Sequence, residues 1–397
     1  MSFCKVLPAT FVFVAFALIA CSDDSSSSAD APDNGASEES LSISTTVMQD
    51  GPEMEAKNGG HIDLDIPADS FLAVFEPNDY VKLTMDGYGT VIVPVLASMD
   101  NALAGELFLL AEEGKPYVTF GMFRAPLAII TGVSRGVIKF PINVEIELEK
   151  KGEFTNVIKL YEFQHKSNSI EAYPELSAEE FANFRMVATT GMGDSVLFRA
   201  SSPIDPQLGR SGIVDSLAEV AGVKAFLNMN DAAEDSVKSF EGFEDSYYAK
   251  QKVAYGKVTS SFTMREFKEP FAEKLKFMAE NEGPYLVHCV WGKDRTGIVI
   301  AVLAALMGAT AEEIQDDYAK TYTNFFDVVD DKQVALTKEQ KDLARWQIRW
   351  NMVTAYEVEG IDISDFENAD LAAATEKYLL AIGLEKSEIE SIKKHLK

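Results

Sequence analysis

Cys289, Lys293, Asp294 and Arg295 lie close together in the string Tyr285-Leu286-Val287-His288-Cys289-Val290-Trp291-Gly292-Lys293-Asp294-Arg295-Thr296-Gly297. The string reads as a short apolar strand ending at the cysteine, a glycine-containing loop, and a helix that opens near Thr296 and runs on through the apolar Ile298 to Met307. Such a turn aims successive backbone N–H groups and the positive end of a helix at one point, which suits a dianion. A cysteine nucleophile works as the thiolate, and a helix N-terminus with neighbouring cations favours that form. Arg295 offers a planar fork of donors to two phosphoryl oxygens and neutralises charge as a trigonal-bipyramidal transition state forms. The chemistry implied is phosphoryl transfer to Cys289, with Arg295 as the clamp.

Competing readings of the same residues fit less well. A core cysteine beside a structural turn does not call for Gly, Lys, Asp and Arg at these spacings. Gly292-Lys293 lacks both the earlier glycine and the following Ser/Thr of a nucleotide-binding Gly-x4-Gly-Lys-[Ser/Thr] loop. Sulfur transfer of the rhodanese type also uses a loop cysteine, but does not require the Lys-Asp-Arg-Thr-Gly continuation.

The Cys-(x)5-Arg loop with its preceding histidine resembles the protein tyrosine phosphatase superfamily. The fuller His288-Cys289-x-x-Gly-Lys-Asp-Arg-Thr-Gly297 is similar to bacterial tyrosine phosphatases of the atypical lipid phosphatase group. Asn183-Phe184-Arg185 and Leu197-Phe198-Arg199-Ala200-Ser201-Ser202 look like that family's early motifs, so the resemblance covers about Ser167 to Lys397. It implies a cysteinyl-phosphate mechanism on Cys289, with phosphate cradled by Val290, Trp291, Gly292, Lys293, Asp294, Arg295 and Thr296. Thr296 would hold the thiolate or the loop by a hydrogen bond, and Lys293 would add charge towards inositol phosphate head groups. Asp294 is the expected general acid, with Asp231 and Asp235 as second choices. The family's Asp-Leu-Arg stands here as Asn228-Met229-Asn230, which removes one acid and one base. The expected substrates are a phosphotyrosyl protein, a phosphoinositide or an inositol phosphate, and no cofactor or metal is implied. A catalytically weak phospholigand-binding lipoprotein is the alternative.

These residues need a scaffold. Beyond about Ser167 the pattern alternates helix and strand: Ser177 to Glu180 has the form of a capping box, Val214 to Val220 is helical, and Ala225-Phe226-Leu227-Asn228 has the character of a buried strand. The C-terminal part reads as amphipathic helices, with Trp346 and Trp350 on a core face. The expected fold class is α/β: a phosphatase-like domain over 166–397, with a mostly parallel sheet flanked by helices. Residues 41–165 carry period-two runs such as Val81-Lys82-Leu83-Thr84-Met85 and turn signals such as Asp86-Gly87. They predict a β-rich accessory domain, an antiparallel sandwich or small barrel. His61 and His165 read as ordinary surface histidines there.

Lys5 and the apolar Leu7 to Ala20 have the form of a signal peptide over 1–20. The run ends Leu18-Ile19-Ala20-Cys21, similar to a bacterial lipobox, which implies lipidation of Cys21. The Ser/Asp/Glu/Ala-rich 21–40 reads as a disordered tether. The expected location is therefore extracytoplasmic, on a bacterial membrane through the lipid anchor. A formal charge of −27 argues against nucleic acid as a partner. Positive potential for a phosphate ester must then be built locally, within a Debye length of about 8 Å.

Overall fold

The computed structural model describes residues 41–49, 60–99, 105–123, 125–134, 136–155, 167–325, 328–329, 332–333 and 335–397. The signal peptide, tether, Cys21 and His165 lie outside the described residues. No helix among the described residues is long and apolar enough to cross a membrane.

The first part is a seven-stranded sheet of β1 (Ser42–Thr46), β2 (Ile62–Leu64), β3 (Tyr80–Met85), β4 (Gly89–Leu96), β5 (Leu107–Leu110), β6 (Val118–Met122) and β7 (Asn143–Lys150). Their spatial order is β1-β7-β3-β4-β5-β6-β2. Alternation produces it: Val81, Leu83 and Met85 of β3 face inward with Val144 and Ile146 of β7, while Lys82 pairs outside with Glu147. Asp86-Gly87 makes the β3–β4 hairpin, with Gly87 at φ +75°. The sheet nearly closes on itself, because Val47 bridges Leu64 and Met48 N–H donates to the Asp63 carbonyl at 2.9 Å. The result is barrel-like, which removes most of its exposed edge. One expectation needs correction: β4 and β5 run parallel, so the sheet is not wholly antiparallel. Period-two alternation specifies which face is buried and is silent on strand direction.

The second part has a five-stranded sheet with β8 (Arg185–Met186), β9 (Leu197–Ala200), β10 (Ala225–Asn228), β11 (Lys252–Ala254) and β12 (Tyr285–His288) in the order β11-β10-β12-β9-β8. The first four are parallel and only β8 is antiparallel. Strand β12 is thus central, and its C-terminal end delivers Cys289 to the sheet edge where open parallel sheets bind ligands. Helix α6 (Asp294–Met307) follows; every residue from Thr296 to Leu306 is buried, which its apolar composition on all sides permits. It is enclosed by β12, α7 (Ala311–Phe325), α8 (Lys338–Glu357) and α9 (Leu371–Ala381). On the other sheet face, α4 (Ser211–Val220) packs Val214 and Ala218 against Phe198 and Phe226. The Ser177–Glu180 capping box is formed at α3 (Ala178–Phe181).

Trp346 and Trp350 are only partly buried. Trp350 packs on the α/β core and also covers Gly105 of the β-rich part, where a Cβ would fall 2.5 Å from its ring. Helical spacing in a sequence marks a buried face but does not separate core from contact between two parts of a chain.

His61 is likewise not a surface residue. It is 8% exposed, edge-on to Phe108 with centroids 5.5 Å apart, and its Nδ1 has no hydrogen-bond partner among the described residues. Burial lowers its pKa to about 4. The unfolded chain therefore binds a proton that the folded chain refuses, so stability is full above about pH 6.5 and is lost as pH falls through 4, by up to about 3 kcal/mol. Urea unfolding of wild type and His61→Leu at neutral and acid pH should show the variant losing less stability on acidification. Identical pH dependence would contradict the burial argument.

Candidate active site

Cys289 is 3% exposed and lines a cavity of about 420 Å3 with Ser260, Trp291, Lys293, Asp294 and Arg295. Gly292 makes the turn at φ +67°, where any Cβ would sit 2.2 Å from the Ala200 carbonyl oxygen. Both the left-handed conformation and the close approach to β9 demand glycine here.

Three consecutive loop carbonyls are held by donors from the Asn183–Ser202 segment. Ser202 N–H donates to the Val290 carbonyl at 3.2 Å, and Asn183 Nδ2 to those of Trp291 and Gly292 at 3.2 and 3.3 Å. Arg199 Nη2 adds a 2.7 Å bond to the Gly292 carbonyl. In a trans peptide the N–H points opposite to the C=O. Anchoring these carbonyls towards β9 therefore turns the N–H groups of Trp291, Gly292 and Lys293 the other way.

The donors are themselves fixed. Asn183, fully buried at φ +52°, accepts through Oδ1 from Arg185 Nη1 at 2.6 Å and Asn324 Nδ2 at 3.0 Å. Arg185 and the fully buried Arg199 share one carboxylate, Asp317 of α7. Burial alone would raise the Asp317 pKa, but the charges and hydrogen bonds of Arg185 and Arg199 hold it below the usual carboxylate value. Burial lowers that of Arg185 to about 10, with the Asp317 charge opposing and the Arg199 charge adding to the fall. Two guanidiniums against one carboxylate leave one net positive charge behind the loop.

In the cavity wall, Asp294 Oδ1 accepts from Tyr318 Oη at 2.8 Å, and its Oδ2 lies 3.5 Å from Lys293 Nζ. The same ammonium sits 4.9 Å over the Tyr322 ring. Trp291 stacks on Phe325, with centroids 5.4 Å apart, and Phe325 in turn lies 3.8 Å from the buried Arg210 guanidinium. Arg295 Nη1 donates to the Met229 carbonyl at 3.2 Å. His288 is fully buried against Tyr248 and Phe226, without a hydrogen-bond partner on either nitrogen among the described residues. Burial, then the Arg295 and Lys274 charges, push its pKa down to about 3, so it is neutral.

The structure brings Cys289 and Trp291, Lys293, Asp294 and Arg295 to one cavity, and gives Val290 and Gly292 the anchored carbonyls. Thr296 departs from expectation: among the described residues its buried Oγ1 has no hydrogen-bond partner. Asp231 is partly buried and accepts from Asn228 Nδ2 and Asn230 Nδ2, whereas Asp235 is exposed beside Lys238. Asn228, the departure from the family pattern, has a structural task. Its Oδ1 accepts from the N–H groups of Asn230 and Asp231, shaping the turn that leaves β10, and its Nδ2 reaches Tyr248 Oη at 2.9 Å. Asp317, Asn324 and Ser260 were not foreseen. A carboxylate on a helix face otherwise apolar at Ile314, Tyr318 and Phe325 is the signal that could have pointed to Asp317.

A family model described as the tyrosine phosphatase family matches residues 186–397. The chain belongs to the tyrosine phosphatase family, and its fold is a mixed α/β one. No curated protein matches it. Among solved structures, the crystal structure of an uncharacterized conserved protein from Thermotoga maritima is 17% identical, covering 27% of this chain and 36% of that one, with a TM-score of 0.21. This chain thus spans only about a third of that protein, a likeness too slight to define the fold.

The supporting network carries a test. Asp317→Asn leaves two buried guanidiniums without their counter-charge and should cost about 3–5 kcal/mol. Urea unfolding measures it, and an unchanged midpoint would show that the loop does not depend on this ion cluster.

Proposed function

We propose that the protein is a cysteine-dependent phosphate monoester hydrolase working through a cysteinyl-phosphate intermediate. The observation that carries the reading is the anchoring of the Val290, Trp291 and Gly292 carbonyls, which aims the opposite N–H groups at the space beside Cys289. In the first step the Cys289 thiolate attacks phosphorus, an S–P bond forms as the P–O bond breaks, and the leaving oxygen takes a proton from the Asp294 carboxyl. In the second, water attacks the cysteinyl phosphate, gives its proton to the Asp294 carboxylate, and releases phosphate and the thiolate. Arg295, its Nη1 held by the Met229 carbonyl, clamps two equatorial oxygens through Nε and Nη2, and the loop amides stabilise the developing charge. Asp294 is preferred to Asp231 and Asp235 because it lines the Cys289 cavity and Tyr318 fixes its orientation, while Asp231 is engaged by two asparagines.

The substrate class we assign is a phosphotyrosyl protein, a phosphoinositide or an inositol phosphate, and phosphate release from a panel of the three separates them. Cys289→Ser should abolish turnover while inorganic phosphate still binds, and Arg295→Lys should lower kcat/KM by roughly two orders of magnitude or more through loss of the bidentate fork. Substantial hydrolysis by the serine variant would exclude the covalent route. Asp294→Asn should slow alkyl phosphates far more than activated aryl phosphates, whose leaving groups depart unprotonated. A selective loss found instead at Asp231→Asn or Asp235→Asn would move the acid.

We further propose export and lipidation at Cys21, on the pattern of residues 1–21, with the β-rich part as an accessory unit between anchor and catalytic part. Cys21→Ala should shift the protein from the membrane fraction to the soluble or unprocessed fraction. Unchanged fractionation would point to another anchor.

A further inference from the structure

On α5 (Arg265–Glu280) the buried stripe of Phe267, Phe271, Leu275 and Met278 includes a cation. Lys274 is 1% exposed, and its ammonium donates to the carbonyls of Gly256 and, at 3.4 Å, Tyr255. No carboxylate forms an ion pair with it among the described residues. Burying an ammonium without a counter-charge is strongly unfavourable, and an apolar side chain of that length would fill the space without the penalty.

What the ammonium holds is a segment that meets the site repeatedly. Gly256 N–H donates to the Asp231 carbonyl at 3.0 Å and Val258 N–H to the Met229 carbonyl at 3.2 Å. The Met229 carbonyl is also the acceptor of Arg295 Nη1, and Ser260 lines the same cavity as the loop residues. Lys274 is close enough to His288 for its charge to oppose protonation of that ring.

We propose that Lys274 is a positioning residue of the phosphate site: it clamps the 255–260 segment onto Met229–Asp231 and sets a fixed positive charge behind His288. This rests on reading the Cys289 cavity as a phosphate site. Of the charged and titratable groups nearby, His288 on β12 feels its charge and Tyr255 after β11 accepts from it through its carbonyl, while the segment it holds reaches Arg295 on α6 through the Met229 carbonyl and Asp231 after β10 through that residue's own carbonyl. His288 is neutral near and above neutrality, so it cannot supply the charge. Burial lowers the Lys274 pKa to about 8. The ammonium is therefore present below that value and lost above it, so phosphate affinity falls as pH rises through about 8.

The test is calorimetric titration of inorganic phosphate into the full chain as wild type, Lys274→Arg and Lys274→Met, from about pH 7.5 to 9.5, where the ligand is mainly the dianion and its small monoanion fraction is corrected for, with kcat/KM on para-nitrophenyl phosphate alongside. Wild-type affinity should fall about tenfold over this range. Lys274→Met should bind about tenfold more weakly at the lower end and show no further fall, while Lys274→Arg should keep wild-type affinity there and hold it at the upper end. An arginine variant that falls with the wild-type midpoint, or a folded methionine variant with wild-type affinity, would overturn the assignment. If the methionine variant does not fold, the arginine variant alone decides. Wild-type protein that binds phosphate but releases none from esters would sink the hydrolase reading, and the variants' affinities would still decide the role of Lys274.

Discussion

The site depends on one constraint: three successive peptide carbonyls, those of Val290, Trp291 and Gly292, are all turned to the same side and bonded there. A loop with free carbonyls presents a mixture of acceptors and donors to its ligand, and an acceptor facing a phosphoryl oxygen is repulsive. Fixing all three removes that option before any ligand arrives, which is the preorganisation that electrostatic catalysis requires. The constraint propagates outward. Gly292 must be glycine because β9 lies against it, Asn183 must adopt a left-handed backbone to aim its amide, and Arg199 must enter the core to reach Gly292. Asp317 then has to be on α7 to make two buried guanidiniums tolerable, so a helix remote in sequence becomes part of the loop's foundation.

The same arrangement reconciles an acidic chain with an anionic ligand. At −27 the protein as a whole repels anions, yet the repulsion between exposed charges is screened beyond about 8 Å. Inside that distance the balance reverses: Arg295 and Lys293 face the cavity, the Arg185–Arg199–Asp317 cluster contributes one net positive charge, and α6 presents its N-terminus. Burial makes the Arg185–Arg199–Asp317 cluster count for more than a surface lysine would, because the local dielectric is low and water does not intervene. It also keeps His288 neutral, so its ring supports the strand end by packing against Tyr248 and Phe226 and not by charge.

The candidate site is legible in the sequence because it is local: strand, loop and helix lie in one run from Tyr285 to Met307, and the places of Gly292 and Arg295 in the loop follow from spacing. Asn183, Arg185 and Arg199 could be flagged by resemblance, but their task could not be read, since it is a contact across about a hundred residues with backbone atoms that no side-chain pattern reveals. Arg199 inside Leu197-Phe198-Arg199-Ala200 and Lys274 among Phe271, Leu275 and Met278 do carry a signal: a cation on a buried stripe needs a partner. Which partner is a matter of topology. Topology also explains the misread parts, since alternation points to the barrel-like sheet but not to the parallel β4–β5 pair, and the polarity of His61 points to a surface that Phe108 and Gly121, packed against its ring, deny it.

The central claim is that the amides of Trp291, Gly292 and Lys293 form the phosphate cradle, and the most direct test is the amide proton resonances of these residues in 15N-labelled Cys289→Ser protein titrated with inorganic phosphate. The account predicts that all three move downfield as charge-assisted N–H···O bonds form. Saturable phosphate binding that leaves these three resonances in place, with changes confined to the side chains of Lys293 and Arg295, would contradict it.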